Sequence, residues 1–134
     1  MSQENVEIVR RGWEHFEATG ELLKDILAPD FVWVMSTFRA VMDFEDEYRG
    51  MAGVERFLEG WIEPFDHWQI HVESLRDAGD KVVALCRQHA RSKGAGVPVD
   101  MDLAMVFTLR DGLETRMEMY ADPEEALKAV GLEE

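Results

Sequence analysis

A chain of 134 residues, 46% of them apolar, is long enough to build one hydrophobic core, so we expect a single domain over residues 1–134. Its 28 acidic residues outnumber the 14 basic ones, and the resulting net charge of −14 repels phosphate backbones and anionic lipid headgroups. Nucleic acid and membranes are therefore excluded as expected partners.

Three features of the sequence predict a cytoplasmic protein. No segment approaches the ~20 consecutive apolar residues of a membrane span. Residues 1–5 lack the basic and then apolar pattern of a signal peptide. The single cysteine, Cys86, lies within a strand pattern, so no disulfide can form within the chain and a small buried apolar residue is the favoured interpretation.

The first third of the chain predicts two helices. The first begins at Ser2, whose side chain can cap the free amides of the first turn, and it ends at Gly20. A short second helix is expected to end at Pro29, which cannot donate a backbone hydrogen bond. The apolar residues of this second helix are Leu22, Leu23, Ile26 and Leu27.

The next segments predict a strand, an irregular stretch and a third helix. Residues 31–35 form an apolar run that is typical of a short buried strand. Residues 36–47 have no clear periodicity and are interpreted as a lip or a short helical turn. The third helix is predicted over residues 52–62, with Pro64 as its stop signal.

The second half of the chain predicts a four-strand antiparallel meander and a final helix. Asp111 and Gly112 form a strong hairpin signal, because both tolerate the positive φ that a tight turn requires. Residues 122–125 (Asp-Pro-Glu-Glu) are typical of a helix start, and Gly131 is placed to end that helix. The four strands are predicted over residues 66–77, 81–91, 97–110 and 113–121.

Alternation along these strands predicts which side chains share a face. Met117 and Met119 are expected on one face of the last strand, and Glu114 and Glu118 on the other. Because apolar residues occur on both faces of the meander, the helices of the chain can cover one face and a second copy of the chain is expected to cover the other. We therefore predict a homodimer through the sheet.

The order of the predicted elements and four phrases in the chain resemble the SnoaL-like branch of the NTF2-like superfamily, and the resemblance extends over essentially the whole chain. The four phrases are residues 48–54, 77–83, 107–112 and 116–122. The resemblance implies an α+β fold, an NTF2-like cone in which a curved antiparallel sheet wraps over three N-terminal helices and a short C-terminal helix follows. This fold hosts isomerases, cyclases, hydrolases and binding modules, so the resemblance does not name a reaction.

Two functional positions of the superfamily can be compared with this chain. The catalytic aspartate and tyrosine of ketosteroid isomerases fall at about Met35 and Gly12, neither of which can transfer a proton. The aspartate of SnoaL-type polyketide cyclases falls near Asp122, which keeps an acid/base role open there. The sequence favours helix capping by Asp122 over catalysis.

The polar residues predicted to enter the cone are Arg87, His89, Glu118 and Tyr120. If they face inward, Arg87 would orient a substrate oxygen and His89 or Glu118 would transfer the proton. Tyr120 would then donate a hydrogen bond to the developing oxyanion. The alternative interpretation is a cluster of salt bridges on the sheet surface.

Some members of a set of large apolar side chains are predicted to line the cone, although for each residue singly a place in the core is favoured: Trp13, Phe16, Trp33, Met35, Tyr48, Trp61 and Met105. Neither a metal site nor an organic cofactor is predicted, because the chain lacks a phosphate loop and a cysteine pair, and His67 and His71 lack a clear third ligand. We expect a small apolar carbonyl or hydroxyl compound as ligand, processed by cofactor-free acid/base chemistry. The alternative is a non-catalytic ligand-binding or dimerisation module.

Overall fold

The computed structural model describes residues 2–35 and 47–132, with the side chain of Ser2 excepted. The Ser2 cap and residues 36–46 of the predicted lip lie outside the described residues. The helical elements are α1 (Ser2–Thr19), a 3₁₀ turn (Lys24–Ile26), α2 (Gly50–Ile62) and α3 (Pro123–Ala129). The strands are β1 (Leu27–Val34), β2 (Glu47–Arg49), β3 (Phe65–Asp77), β4 (Lys81–Ser92), β5 (Pro98–Arg110) and β6 (Leu113–Tyr120).

The six strands form one sheet in the order β2-β1-β6-β5-β4-β3. All neighbouring pairs are antiparallel except β1 and β6, which run parallel. Helices α1 and α2 pack on one face, called here the inner face, while α3 packs on β4, β5 and β6. The main core lies between the inner face and the two longer helices.

The predicted meander is confirmed, with strand ends within two residues of the expected ones. Alternation also holds along β4 and β5, where Val82 and Leu103 face the main core while Val83 and Ala104 face α3 on the outer face. Asp111 and Gly112 both adopt positive φ, +53° and +81°, in the turn between β5 and β6. Apolar segments separated by turn signals were therefore a sufficient guide to the positions of these strands.

The predicted second helix is wrong, and the described residues before the meander form two helices rather than three. Only the 3₁₀ turn forms there, and Leu27 already begins β1. The stretch between Gly20 and Pro29 is too short to sustain a helix without strong packing on one face. Pro29 lies inside β1, in the gap between the pairs that Leu27 and Val32 make with β6, so its missing N–H breaks none of those pairs.

The predicted C-terminal helix is confirmed as α3. The Asp122 carboxylate accepts a hydrogen bond from the backbone N–H of Glu124 at 3.0 Å, and Pro123 occupies the first turn. Gly131 ends the helix with a φ of +79°. Across the described helices, none combines the length and the apolar character that crossing a bilayer requires.

Candidate functional site

A cavity of about 80 Å³ lies between the inner face of the sheet, the two longer helices and the 3₁₀ turn. Its wall is almost entirely apolar. The ring of Phe57 links two of its tryptophans, with ring centroids 4.8 Å from Trp33 and 5.7 Å from Trp61. All four tryptophans of the chain contribute to the wall: Trp13, Trp33, Trp61 and Trp68.

The structure brings most of the predicted pocket residues to this cavity, namely Trp13, Phe16, Trp33, Trp61 and Met105. Met35 and Tyr48 are buried in the same core, but neither is among the described residues of the cavity wall. The ring of Tyr48 packs instead against Phe57, at a centroid distance of 5.3 Å, with the guanidinium of Arg56 over its face. Tyr48 therefore supports the wall from behind.

One carboxyl group lines the cavity, and it belongs to Glu114 of β6. This residue is 5% exposed, and burial raises the pKa of its carboxyl from 4.5 to about 8. Within the described part of the chain, no side chain donates a hydrogen bond to this carboxyl or forms an ion pair with it. Glu114 is therefore mainly a neutral acid at pH 7.

The prediction that Glu114 and Glu118 share a face is wrong, because Glu114 lines the cavity while Glu118 lies on the outer face. The cause is a bulge in β6: Arg116 pairs with Thr108 and Glu114 with Leu109, which leaves Thr115 as an extra residue. The Thr115 hydroxyl donates a hydrogen bond to the backbone carbonyl of Thr108 at 3.2 Å. One extra residue reverses the alternation, and the sequence carries no distinct mark of it.

The four indole N–H groups of the wall fall into two pairs. Trp61 and Trp68 both donate to the side-chain carbonyl oxygen of Gln88, at 2.7 and 2.8 Å. The indole nitrogens of Trp13 and Trp33 are buried, and neither has a hydrogen-bond partner among the described residues. Two of the four wall tryptophans thus carry a buried indole N–H for which the described residues provide no acceptor.

The structure places Arg87 and His89 on the outer face, away from the cavity. Their neighbours Cys86 and Gln88 are buried on the inner side of β4, so alternation turns Arg87 and His89 outward. The Arg87 guanidinium lies 2.7 Å from the Asp102 carboxylate. His89 Nδ1 lies 3.0 Å from the Asp100 carboxylate. These partly exposed pairs match the surface salt-bridge alternative.

Glu118, Tyr120 and Asp122 also lie outside the cavity. The Glu118 carboxylate is 3.6 Å from Arg116 Nε on the outer face. Tyr120 packs beside α3, where burial and the charge of Glu118 raise its pKa. Asp122 caps α3, as described above. Among the described residues, no three His, Cys, Asp or Glu side chains are grouped to hold a metal ion.

Solved structures with the same fold span almost the whole chain. TerC, co-crystallised with polyporic acid, is 22% identical with a TM-score of 0.74, over 96% of this chain and 98% of TerC. An NTF2-like protein of unknown function from Burkholderia pseudomallei is 18% identical with a TM-score of 0.73, over 95% and 97%. A Jannaschia protein, provisionally called a SnoaL-like polyketide cyclase, is 23% identical with a TM-score of 0.72, over 96% and 92%.

The family follows from the sequence as well as from the fold. No curated protein matches the chain significantly. The profile of the SnoaL-like domain matches residues 9–117, which include the described cavity-lining residues except Met119. The chain therefore belongs to the SnoaL-like domain family, and its fold is that of the NTF2-like proteins it resembles.

Proposed function

We propose that this protein binds a small, largely apolar carbonyl or hydroxyl compound in its aromatic cavity and transfers a proton on it without a cofactor. Glu114 is the acid/base group of this proposal. The observation that carries it is a buried carboxyl, unpaired within the described residues, that lines an otherwise apolar cavity. Arg87, His89, Glu118 and Tyr120 are not part of it, because they lie on the outer face of the sheet.

The chemistry of Glu114 suits such a transfer. With a pKa of about 8, roughly one tenth of the carboxyl is ionised at pH 7, so both protonation states are available. The carboxylate takes a proton from the carbon next to a ligand carbonyl, and the electron pair of that C–H bond becomes a carbon–carbon double bond. The carbonyl π electrons move onto oxygen. Return of the proton to the same or another carbon completes an exchange or an isomerisation.

Support for a small-molecule ligand comes from the fold relatives. TerC was crystallised with polyporic acid, and it shares the fold of this chain over nearly its full length. The aromatic cavity described above offers this chain an apolar compartment for a small ligand. Concave, mostly apolar sites with a few polar groups are where proteins bind small molecules.

Proton transfer can be tested without knowing the natural substrate. We expect the protein to accelerate the exchange of the α-hydrogens of cyclohexanone for deuterium in D₂O, followed by NMR. The Glu114→Gln variant should lose this acceleration, because an amide cannot take the proton. Glu118→Gln removes a carboxylate from the outer face of the same strand and should behave as wild type. Equal exchange with wild type and Glu114→Gln would contradict the proposal.

A second candidate function is non-catalytic ligand binding, in which Glu114 only donates a hydrogen bond. It is favoured by one observation: among the described wall residues, Glu114 is the only titratable group, so no second acid or base stands ready. If calorimetry shows that cyclohexanone binds, but the protein does not accelerate its deuterium exchange, the function is ligand binding without catalysis.

The homodimer through the sheet stays a prediction. The outer face is less apolar than the sequence suggested, since α3 covers Val83, Ala104 and Val106, and the neighbouring area carries the pairs of Arg87 and His89. We expect sedimentation velocity to give the mass of two chains at micromolar concentration. A single-chain mass throughout would contradict the dimer.

A further inference from the structure

We infer that the indole N–H groups of Trp13 and Trp33 form the oxygen-binding site of the cavity, where they donate hydrogen bonds to the ligand beside Glu114. This inference rests on the proposed function, and it adds the class of ligand. The ligand is an uncharged compound of about one ring that presents carbonyl or hydroxyl oxygens as acceptors.

The first argument is that the described residues provide hydrogen-bond acceptors for two of the four indole N–H groups and not for the other two. Trp61 and Trp68 share the buried carbonyl oxygen of Gln88, so the fold supplies an acceptor for those two N–H groups. For Trp13 and Trp33 it supplies none among the described residues, although both nitrogens are buried. A buried donor without a partner is costly and uncommon in folded proteins. A ligand oxygen would remove that cost.

The second argument is the character of the polar groups at the cavity. Trp13 and Trp33 are donors only, and the neutral form of Glu114 adds a third donor. The other described wall residues are apolar, or are tryptophans already bonded to Gln88. A site that offers donors selects a ligand that offers acceptors. The volume of about 80 Å³ limits that ligand to a small ring unless the wall moves.

The same two donors fit the proposed reaction. When Glu114 takes a proton next to a ligand carbonyl, negative charge develops on the carbonyl oxygen. Preorganised N–H donors stabilise such charge strongly where water is excluded. Trp13 comes from α1 and Trp33 from β1, so they belong to two different elements of the wall. We expect both to contribute to binding, and more to the proton transfer than to binding alone.

The first test reads the four indole N–H signals of the ¹⁵N-labelled wild-type protein by NMR, with cyclohexane-1,4-dione as the probe. On binding, the Trp13 and Trp33 protons should move downfield, because they enter new hydrogen bonds. The Trp61 and Trp68 protons are already bonded to Gln88 and should move least, which makes them internal controls. Equal shifts of all four signals, or larger shifts of Trp61 and Trp68, would overturn the inference.

The second test measures the affinity of cyclohexane-1,4-dione by calorimetry. Trp13→Phe and Trp33→Phe should each weaken binding about 3- to 10-fold, the loss expected for one hydrogen bond. Trp68→Phe is the matched control, because it removes an indole whose N–H is already used, and it should stay within about 2-fold. If all three variants behave alike, the inference fails while the proposed function stands. If wild type binds neither the dione nor cyclohexanone, the proposed function fails.

A third test uses pH to check the class of ligand. Glu114 pairs with Leu27 on β1 and Leu109 on β5, and the described wall contributes no other titratable group. Ionisation of Glu114 therefore removes a donor and places a negative charge beside the ligand oxygens. The affinity for the dione should fall as the pH rises through about 8. The opposite result is that the dione does not bind while the affinity for tetramethylammonium rises with pH. The ionised Glu114 would then act as the counter-ion of a cationic ligand, and the inference would be overturned.

Discussion

Glu114 illustrates how burial alone can change the chemistry of a carboxyl group. No neighbouring charge raises its pKa; the cause is the loss of hydration in an apolar wall. Between pH 4.5 and 8 the folded protein keeps a proton that the unfolded chain has released. Over this range the free energy of unfolding therefore decreases as the pH rises, and above it the contribution of Glu114 is constant.

This linkage gives a prediction for Glu114→Gln, whose amide does not ionise. The shift from 4.5 to about 8 corresponds to a loss of up to about 5 kcal/mol in wild-type stability across the window. Urea denaturation between about pH 5 and pH 9 should show the wild type losing stability relative to the variant as the pH rises. Glu118→Gln, on the outer face, should show no such divergence. Parallel pH profiles for wild type and Glu114→Gln would mean that Glu114 is solvated.

At the scale of elements, α3 depends on a single capping side chain. The Asp122 carboxylate accepts a bond from the Glu124 N–H, and a helix of seven residues is too short to be stable without capping and packing. We expect Asp122→Ala to lower the free energy of unfolding by about 1 kcal/mol. Asp122→Ser keeps an oxygen that can accept the same bond and should recover most of the loss. A loss from Asp122→Ala with no effect on cyclohexanone exchange would agree with a purely structural role.

The elements also show what the sequence could and could not predict. The strands of the meander were predictable because turn signals separate apolar segments, and burial alternates regularly along parts of them, as along β4 from Ala84 to Ala90. The inward turn of Glu114 was not, because one extra residue at Thr115 reverses that alternation without changing the composition. The prediction of a second helix was wrong for another reason. Leu22 and Leu23 are apolar because they line the cavity, whereas the prediction assigned them to the apolar face of a helix.

The candidate site was likewise predictable from the sequence only in part. Aromatic wall residues such as Trp13 and Trp61 were predictable, since large apolar side chains near the sheet either fill the core or line its cavity. The proposed acid/base group, Glu114, was not predictable, because the most conspicuous charged residues, Arg87 and His89, lie on the outer face with their own carboxylate partners. In the sequence alone, charged residues that form surface salt bridges look like the polar residues of a functional site. Only the register of the strands in the structure distinguishes these two cases.

At the scale of the whole molecule, Trp61 joins the sheet, α2 and the cavity. It is buried within the main core and bonded to Gln88 of β4. Trp61→Ala should lower the free energy of unfolding by about 3–5 kcal/mol, because it leaves a large void and removes one of the two donors to Gln88. Chemical denaturation would measure this loss. Arg87→Ala, which breaks an exposed pair, should cost less than about 1 kcal/mol. A loss well under 1 kcal/mol for Trp61→Ala would contradict its placement in the core.

The gathering of every tryptophan around one cavity has an optical consequence. Because no indole lies elsewhere in the chain, the tryptophan fluorescence of the protein originates entirely from the cavity wall. A neutral carboxylic acid can quench an excited indole, so the emission intensity is expected to follow the ionisation of Glu114 as well as occupancy of the cavity. The unmodified protein thus carries its own fluorescent reporter, and libraries of small molecules can be screened against it without a label.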